Sequence, residues 1–342
     1  MPGTRIVVVC ITSVLSSFIA LSAPSPQTRQ QIAPLIFVRQ FSSAADVKGE
    51  SHPILNKTLD IIAGPKEESP PPASALQQPY AVTTDSAHRI FVTDLGNGRV
   101  HVFDFARGEY SVLRGGDHLR TPMGVAADRE GNIYVSDSSL HNVLIYDAKG
   151  KFVRYLKKPQ EEESYFAAPR GISVDPASDH IYACDSPRQM VIVLSKGGRV
   201  LATLGTRGGG SAPGQFKNPI QVVVSEGEIA VLDQGNSRVQ VLDSRGHFRR
   251  EIKLANPGDR AGLAIDSQEN IYVSDPDLNH FQVFSHDGQS LYQFGEMGSN
   301  PGQFNGIAGL WVDSGHCLYA ADTTNRRVEL FAIPTVSTHP CL

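Results

Sequence analysis

Ile133-Tyr134-Val135-Ser136-Asp137 decides the fold, because the chain holds five further versions of it. They are Ile90-Phe91-Val92-Thr93-Asp94, Ile181-Tyr182-Ala183-Cys184-Asp185, Ile229-Ala230-Val231-Leu232-Asp233, Ile271-Tyr272-Val273-Ser274-Asp275 and Leu318-Tyr319-Ala320-Ala321-Asp322. Their closing aspartates stand 43, 48, 48, 42 and 47 residues apart. A period of this size marks one supersecondary unit repeated, here six times. Each stretch is short, β-branched or aromatic, and followed by turn residues, which reads as a strand.

Working outward, each unit has the same grammar. An apolar strand ending in aspartate comes first, as in Pro122-Met123-Gly124-Val125-Ala126-Ala127-Asp128 and Pro169-Arg170-Gly171-Ile172-Ser173-Val174-Asp175. Its glycine permits close backbone approach and suits a strand crowded near an axis. The quoted stretch is the second strand, and its aspartate is placed to accept amides of the turn that follows. A third strand follows, such as Arg238-Val239-Gln240-Val241-Leu242. A glycine-bearing tight turn then leads to a fourth, such as Phe152-Val153-Arg154-Tyr155-Leu156.

Four short antiparallel strands cannot bury both faces alone. Six such sheets packed radially can, and the product is an all-β, six-bladed β-propeller. The sixth unit lacks a fourth strand, since only Pro334 to Leu342 follow Ile333. Leu35-Ile36-Phe37-Val38-Arg39-Gln40-Phe41 lies outside the repeats and reads as the missing strand. The expected layout is closing strand 35–41, connecting loop 42–75, blades 76–333 and tail 334–342.

The segment before it differs. Arg5 precedes the apolar run 6–21, and Ala20-Leu21-Ser22 followed by Ala23 supplies small residues at its end. That pattern reads as an export signal over 1–22, with a polar lead-in over 23–34. It predicts a periplasmic or extracellular protein with no membrane span after cleavage. Without Cys10, three cysteines remain: Cys184 in a strand, and Cys317 and Cys341, which can bridge the last unit to the tail. A net charge of −4 and pI near 6.3, with no basic run among aromatics, exclude a nucleic-acid footprint.

The Pro-x-Gly-φ-Ala-x-Asp strand, the Tyr-Val-x-Asp strand and the Asp-x-x-Asn-x-Arg-Val turn resemble the NHL repeat. The best matches are Asp94 to Val100, Asp233 to Val239 and Asp322 to Val328. Two loops, Gly210-Ser211-Ala212-Pro213-Gly214-Gln215-Phe216 and Gly298-Ser299-Asn300-Pro301-Gly302-Gln303-Phe304, resemble the same family's Gly-x-x-Pro-Gly-x-Phe segment. The resemblance covers about 76–333. With the separate strand, it points to bacterial exported six-bladed NHL proteins. It implies the fold, and a role as a binding platform, sensor or, less often, an enzyme.

Candidate binding residues lie on the face where inner strands begin, here called the top. The residues after the opening proline or its equivalent are Tyr80, Met123, Arg170, Ile220, Ala261 and Ala308. That ring lacks the several oxygen ligands that a hard cation needs, against a lactonase-like calcium site. Units two, three and five depart from the NHL turn and add His141, Arg188 and His280. Tyr165 and Phe166 join from the long connection that carries Glu161-Glu162-Glu163. Asp137-Ser138-Ser139-Leu140-His141-Asn142-Val143 is similar to a turn of zinc-dependent peptide-amidating lyases, which implies His141 as a zinc ligand there. A zinc site needs about three protein ligands, and His280 and His118 are the further histidines on that face. The expectation is a non-catalytic module for a protein, peptide or envelope glycan, without a cofactor. The alternative is a zinc-dependent lyase or lactonase-like enzyme. The six repeated aspartates are expected to be architectural, because a group present in every unit serves what every unit shares.

Overall fold

In a computed structural model, residues 35–48, 74–113, 119–156, 165–255, 257–334 and 341 are described. The expected export signal, the lead-in, most of the connecting loop, His118, the glutamate run and most of the tail lie outside them. No helix among the described residues is long and apolar enough to cross a membrane.

Strand β1 (Ile36–Phe41) and a short helix α1 (Ala44–Val47) precede the blades. The helix corrects the expected unbroken loop. Asp46 accepts the amides of Ser42 and Ser43 at 2.7 and 2.8 Å, and Val47 is buried against blade 1. Blade 1 is β2 (Pro79–Thr84), β3 (Ile90–Asp94), β4 (Arg99–Asp104) and β5 (Glu109–Val112). Blade 2 is β6 (Pro122–Ala127), β7 (Ile133–Asp137), β8 (Asn142–Tyr146) and β9 (Phe152–Tyr155). Blade 3 is β10 (Pro169–Val174), β11 (Ile181–Asp185), β12 (Met190–Leu194) and β13 (Val200–Gly205). Blade 4 is β14 (Pro219–Ser225), β15 (Glu228–Asp233), β16 (Arg238–Asp243) and β17 (Phe248–Lys253). Blade 5 is β18 (Leu263–Ile265), β19 (Ile271–Asp275), β20 (His280–Phe284) and β21 (Ser290–Phe294). Blade 6 is β22 (Ile307–Val312), β23 (Cys317–Asp322), β24 (Arg327–Ala332) and, from before blade 1, β1.

Each sheet is antiparallel; five run in chain order from the inner strand outwards, and blade 6 does so as far as β24 before ending on β1. The inner strands contact one another in sequence, and β22 returns to β2, so the ring is closed. β1 pairs with β24 in the register Gln40 to Glu329 and Phe41 to Val328. Closure by this strand therefore stands as expected. So does the Cys317–Cys341 disulfide, which ties the tail to blade 6. Cys184 is a fully buried free thiol whose pKa is raised by burial, as strand packing requires.

The core is six wedges, one in each gap between neighbouring blades. Leu76, Leu119, Phe166, Phe216 and Phe304 each lie three residues before an inner strand, and all are buried in a wedge. Burying such a side chain stabilises by about 1.5–3 kcal/mol. Blade 5 has Gly258 at this position, where an added Cβ would meet Pro276 Cγ at 2.5 Å. Near the axis the inner strands nearly touch. A Cβ on Gly309 would lie 2.4 Å from Tyr80 O, so only glycine fits.

The repeated aspartates are architectural, as expected. Asp94 accepts Gln77 N, Gln78 N and Gly96 N at 2.7, 2.8 and 3.0 Å. Asp137 holds Arg120 N, Thr121 N and the turn amides of Ser139 and Leu140. Asp233 and Asp322 do the same for Lys217 N and Asn305 N. Each thus clamps the chain leading into its own blade as well as its own turn, satisfying amides that no ladder reaches.

Candidate binding site at the channel mouth

Five of the six inner strands open with an irregularity. The register to the second strand shifts between Pro79 and Val82, Pro122 and Gly124, Pro169 and Ile172, Pro219 and Gln221, and Ile307 and Leu310. Such bulges re-aim side chains, and here they sit where each strand meets the channel mouth. The rim residues then divide. Ile220, Ala261 and Ala308 are buried in the wedges, whereas Met123 and Arg170 keep accessible surface.

Arg170 reaches furthest. Its Nη2 donates to the Tyr80 hydroxyl of blade 1 at 3.1 Å and to Asp259 O at 2.6 Å. Its Nη1 pairs with Asp259 Oδ1 at 2.9 Å, in the chain leading into blade 5. Blades 1, 3 and 5 are not neighbours in the ring, so this side chain spans the mouth. Its Nε is buried with no hydrogen-bond partner. The Asp259 carboxylate remains 70% exposed. Beside it, Asn218 Nδ2 donates to Gln234 Oε1 at 2.8 Å, and Gln234 Nε2 to Pro257 O at 3.0 Å. The Arg170 guanidinium thus holds the Asp259 carboxylate at the mouth, braced by the Tyr80 hydroxyl and flanked by two side-chain amides.

The other sequence candidates are not brought to the mouth. His141 occupies the left-handed residue of its turn, φ 52°, a place held elsewhere by Gly98, Gln189, Ser237, Asn279 and Arg326. In three blades the side chain at this place staples the turn to the chain leading into the next blade. Gln189 Oε1 accepts Asn218 N at 2.7 Å, Asn279 Oδ1 accepts Gly306 N at 2.6 Å, and His141 Nδ1 donates to Ala167 O. His280 pairs across the ladder with Asp275, the place of Arg99, Arg238 and Arg327 in other blades. Arg188 binds Tyr165 O and, at 3.2 Å, Asp185. Phe166, expected at the surface, is instead 1% exposed in the wedge between blades 2 and 3, with Tyr165 packed beside it. That is a correction: its repeat position matches Phe216 and Phe304, so it fills core.

Among the described residues no three His, Cys, Asp or Glu side chains converge as a metal site. The group that commands the mouth is a cation. Sequence reasoning missed Asp259, Asn218 and Gln234. The one signal for Asp259 was Gly258, the break in the row of apolar residues before inner strands.

No family model matches the chain. It is 27% identical over 168 residues to peptidyl-glycine alpha-amidating monooxygenase of Mus musculus, covering 46% of this chain and 17% of that protein. It is 29% identical over 167 residues to the probable peptidyl-alpha-hydroxyglycine alpha-amidating lyase pgal-1 of Caenorhabditis elegans, covering 44% and 47%. To the E3 ubiquitin-protein ligase TRIM32 of Homo sapiens it is 27% identical over 186 residues, covering 49% and 26%. These matches thus span less than half the length of each relative. A solved streptogramin B lyase superposes with TM-score 0.55 at 12% identity, over 75% of this chain and 94% of that one, and shows the shared fold. The chain is a six-bladed β-propeller with NHL-repeat proteins among its relatives.

Proposed function

We propose that the protein is an exported binding module that takes a carboxylate-bearing peptide or protein segment at the top of its channel, with Arg170 as the anchor. The observation that carries this reading is the cross-channel guanidinium, which already holds the carboxylate of Asp259 and has one further N–H buried without a partner. Tyr80 fixes the guanidinium plane, and Met123 offers apolar contact on the same rim. The disulfide Cys317–Cys341 supports export, since such bonds persist in oxidising compartments. Two relatives whose names refer to peptidyl groups support a peptide over a glycan.

The test is retention of a peptide library bearing free C-terminal carboxylates, compared with the same library amidated. Arg170→Leu is expected to weaken retention of the acids by about 10- to 100-fold, the worth of a hydrogen bond to a charged group. Equal retention of the amides, or no effect of the substitution, would count against the reading. The competing reading is a zinc-dependent lyase. His141 favours it to one extent, because donation from Nδ1 to a backbone carbonyl is how metal-ligating histidines are commonly oriented. Stoichiometric zinc in purified protein, lost in His141→Ala, would establish that reading instead.

A further inference from the structure

Blade 6 buries an acid where blade 4 buries an amide. In blade 4, Gln240 is fully buried and satisfied at both ends. Its Oε1 accepts Gly214 N at 2.9 Å, while Nε2 donates to Gln215 O at 2.6 Å and to Asp233 Oδ2 at 3.2 Å. Its cross-strand partner at the sheet edge is Glu251, paired with Arg238 Nη1 at 2.9 Å. Blade 6 repeats this frame with Gly302, Gln303, Asp322 and Arg327 at the matching places. Gly302 N donates to Glu329 Oε2 at 2.9 Å, as Gly214 N does to Gln240. Here, however, the cross-strand pair is exchanged. The buried member is Glu329, and the edge member is Gln40 of β1, whose Oε1 accepts from Arg327 Nη1 at 2.6 Å.

The exchange puts Glu329 Oε1 where blade 4 has a donor. The groups that Gln240 Nε2 serves correspond in blade 6 to Gln303 O and the Asp322 carboxylate, both acceptors. Arg327 Nη2 makes a 2.7 Å charge contact with Oε1, but its N–H groups are directed to Asn300 O and Gln303 O at 3.1 and 2.7 Å. Oε1 itself is buried without a hydrogen bond. Arg327 and Asp322 are the charged groups that act on it; β23 sets Ala320 opposite it, and β1 sets neutral Gln40. By analogy with Gln240 Nε2, Oε1 is turned toward these two acceptors, and a proton on it would satisfy them.

We propose that Glu329 is the neutral acid in the closed ring, donating from Oε1 as Gln240 donates from Nε2. Its ionisation, with the proton released to water, loosens the clasp of β1 and the adjoining top-face loop 297–304. The ring thus carries a pH-sensitive latch at its point of closure.

Burial pushes the Glu329 carboxyl up to about 7, with Asp322 adding to the rise, against the Gly302 amide and Arg327, which lower it. Asp322 is itself raised by burial. The folded chain therefore keeps a proton that the unfolded chain, at the ordinary value of 4.5, releases. The stabilisation is complete below that value, fades as pH climbs to about 7, and is absent beyond.

Urea unfolding of the full chain and of Glu329→Gln, from about pH 4.5 to about pH 8, tests the latch. Relative to the variant, the wild-type folding equilibrium is expected to fall on the order of a hundredfold across that range. Amides of β1 should exchange with deuterium faster in the wild type than in the variant at the alkaline end, and equally at the acid end. Difference infrared spectra should show a carboxylic-acid carbonyl band near neutrality that Glu329→Gln lacks. Parallel stability profiles, absence of that band, or a variant that fails to fold would overturn the proposal. The last counts because the isosteric amide supplies the proposed hydrogen bonds at every pH.

Discussion

Blade 4 and blade 6 are built to one pattern but closed in different ways. Blade 4 comes from a single stretch of chain, so Arg238 reaches its edge-strand partner Glu251 across 13 residues. In blade 6 the equivalent bond, Arg327 to Gln40, joins residues 287 apart. Closing the longer loop costs about 3 kcal/mol more in chain entropy. Blade 6 answers with fastenings that blade 4 lacks. Phe41 packs at a tilt against Phe103 and edge-on against Phe105, next to blade 1, with ring centroids 4.8 and 5.3 Å away. The Cys317–Cys341 bridge pins the tail across the same blade. The difference teaches that the ring is only as strong as the one sheet whose strands are not consecutive.

The comparison can be broken most directly at Phe41. It occupies the ladder position of Ile252 in blade 4, opposite Val328 as Ile252 is opposite Val239. Both are buried. Phe41→Ala should cost about 3–5 kcal/mol and speed exchange throughout β1. Ile252→Ala should cost less and leave β1 protected. Denaturant titration with hydrogen exchange reads both, and equal, local effects would remove the distinction. Next is the disulfide. Cys341→Ser should lower stability by roughly 3 kcal/mol, the loop-entropy expectation for a bridge of this span. Thermal unfolding under reducing conditions should then no longer separate the variant from the wild type. The smallest effect sharpens the comparison. Gln240→Glu gives blade 4 the buried acid of blade 6, and should cost about 1–3 kcal/mol near neutrality. Most of that loss should return near pH 5, as melting curves at the two pH values would show.

Much of this fold is legible in the residues themselves. The six Ile-Tyr-Val-Ser-Asp-like stretches give blade number, and the strand read at 35–41, outside the repeats, gives closure on β24. The aspartates were readable as turn caps, although their second duty, clamping the chain that leads into the blade, was not. The site was less legible. Tyr80 and Arg170 stand 90 residues apart and Asp259 another 89 beyond Arg170, and nothing local announces that one guanidinium joins all three. Phe166 and His141 misled for a related reason. Both sit in connections that look like variable surface, yet each fills a place that every blade provides, one in a wedge and one at a left-handed turn.

Periodicity, turn chemistry and the missing fourth strand were thus enough to determine the ring and its clasp, because those features act through neighbours in the chain or in one sheet. Only the tertiary structure decided which rim residues face the channel and which buried side chain must keep a proton. Bulges of a single residue redirect the rim side chains, and the environment of Glu329 is assembled from β1, β24 and a loop that no stretch of sequence contains together.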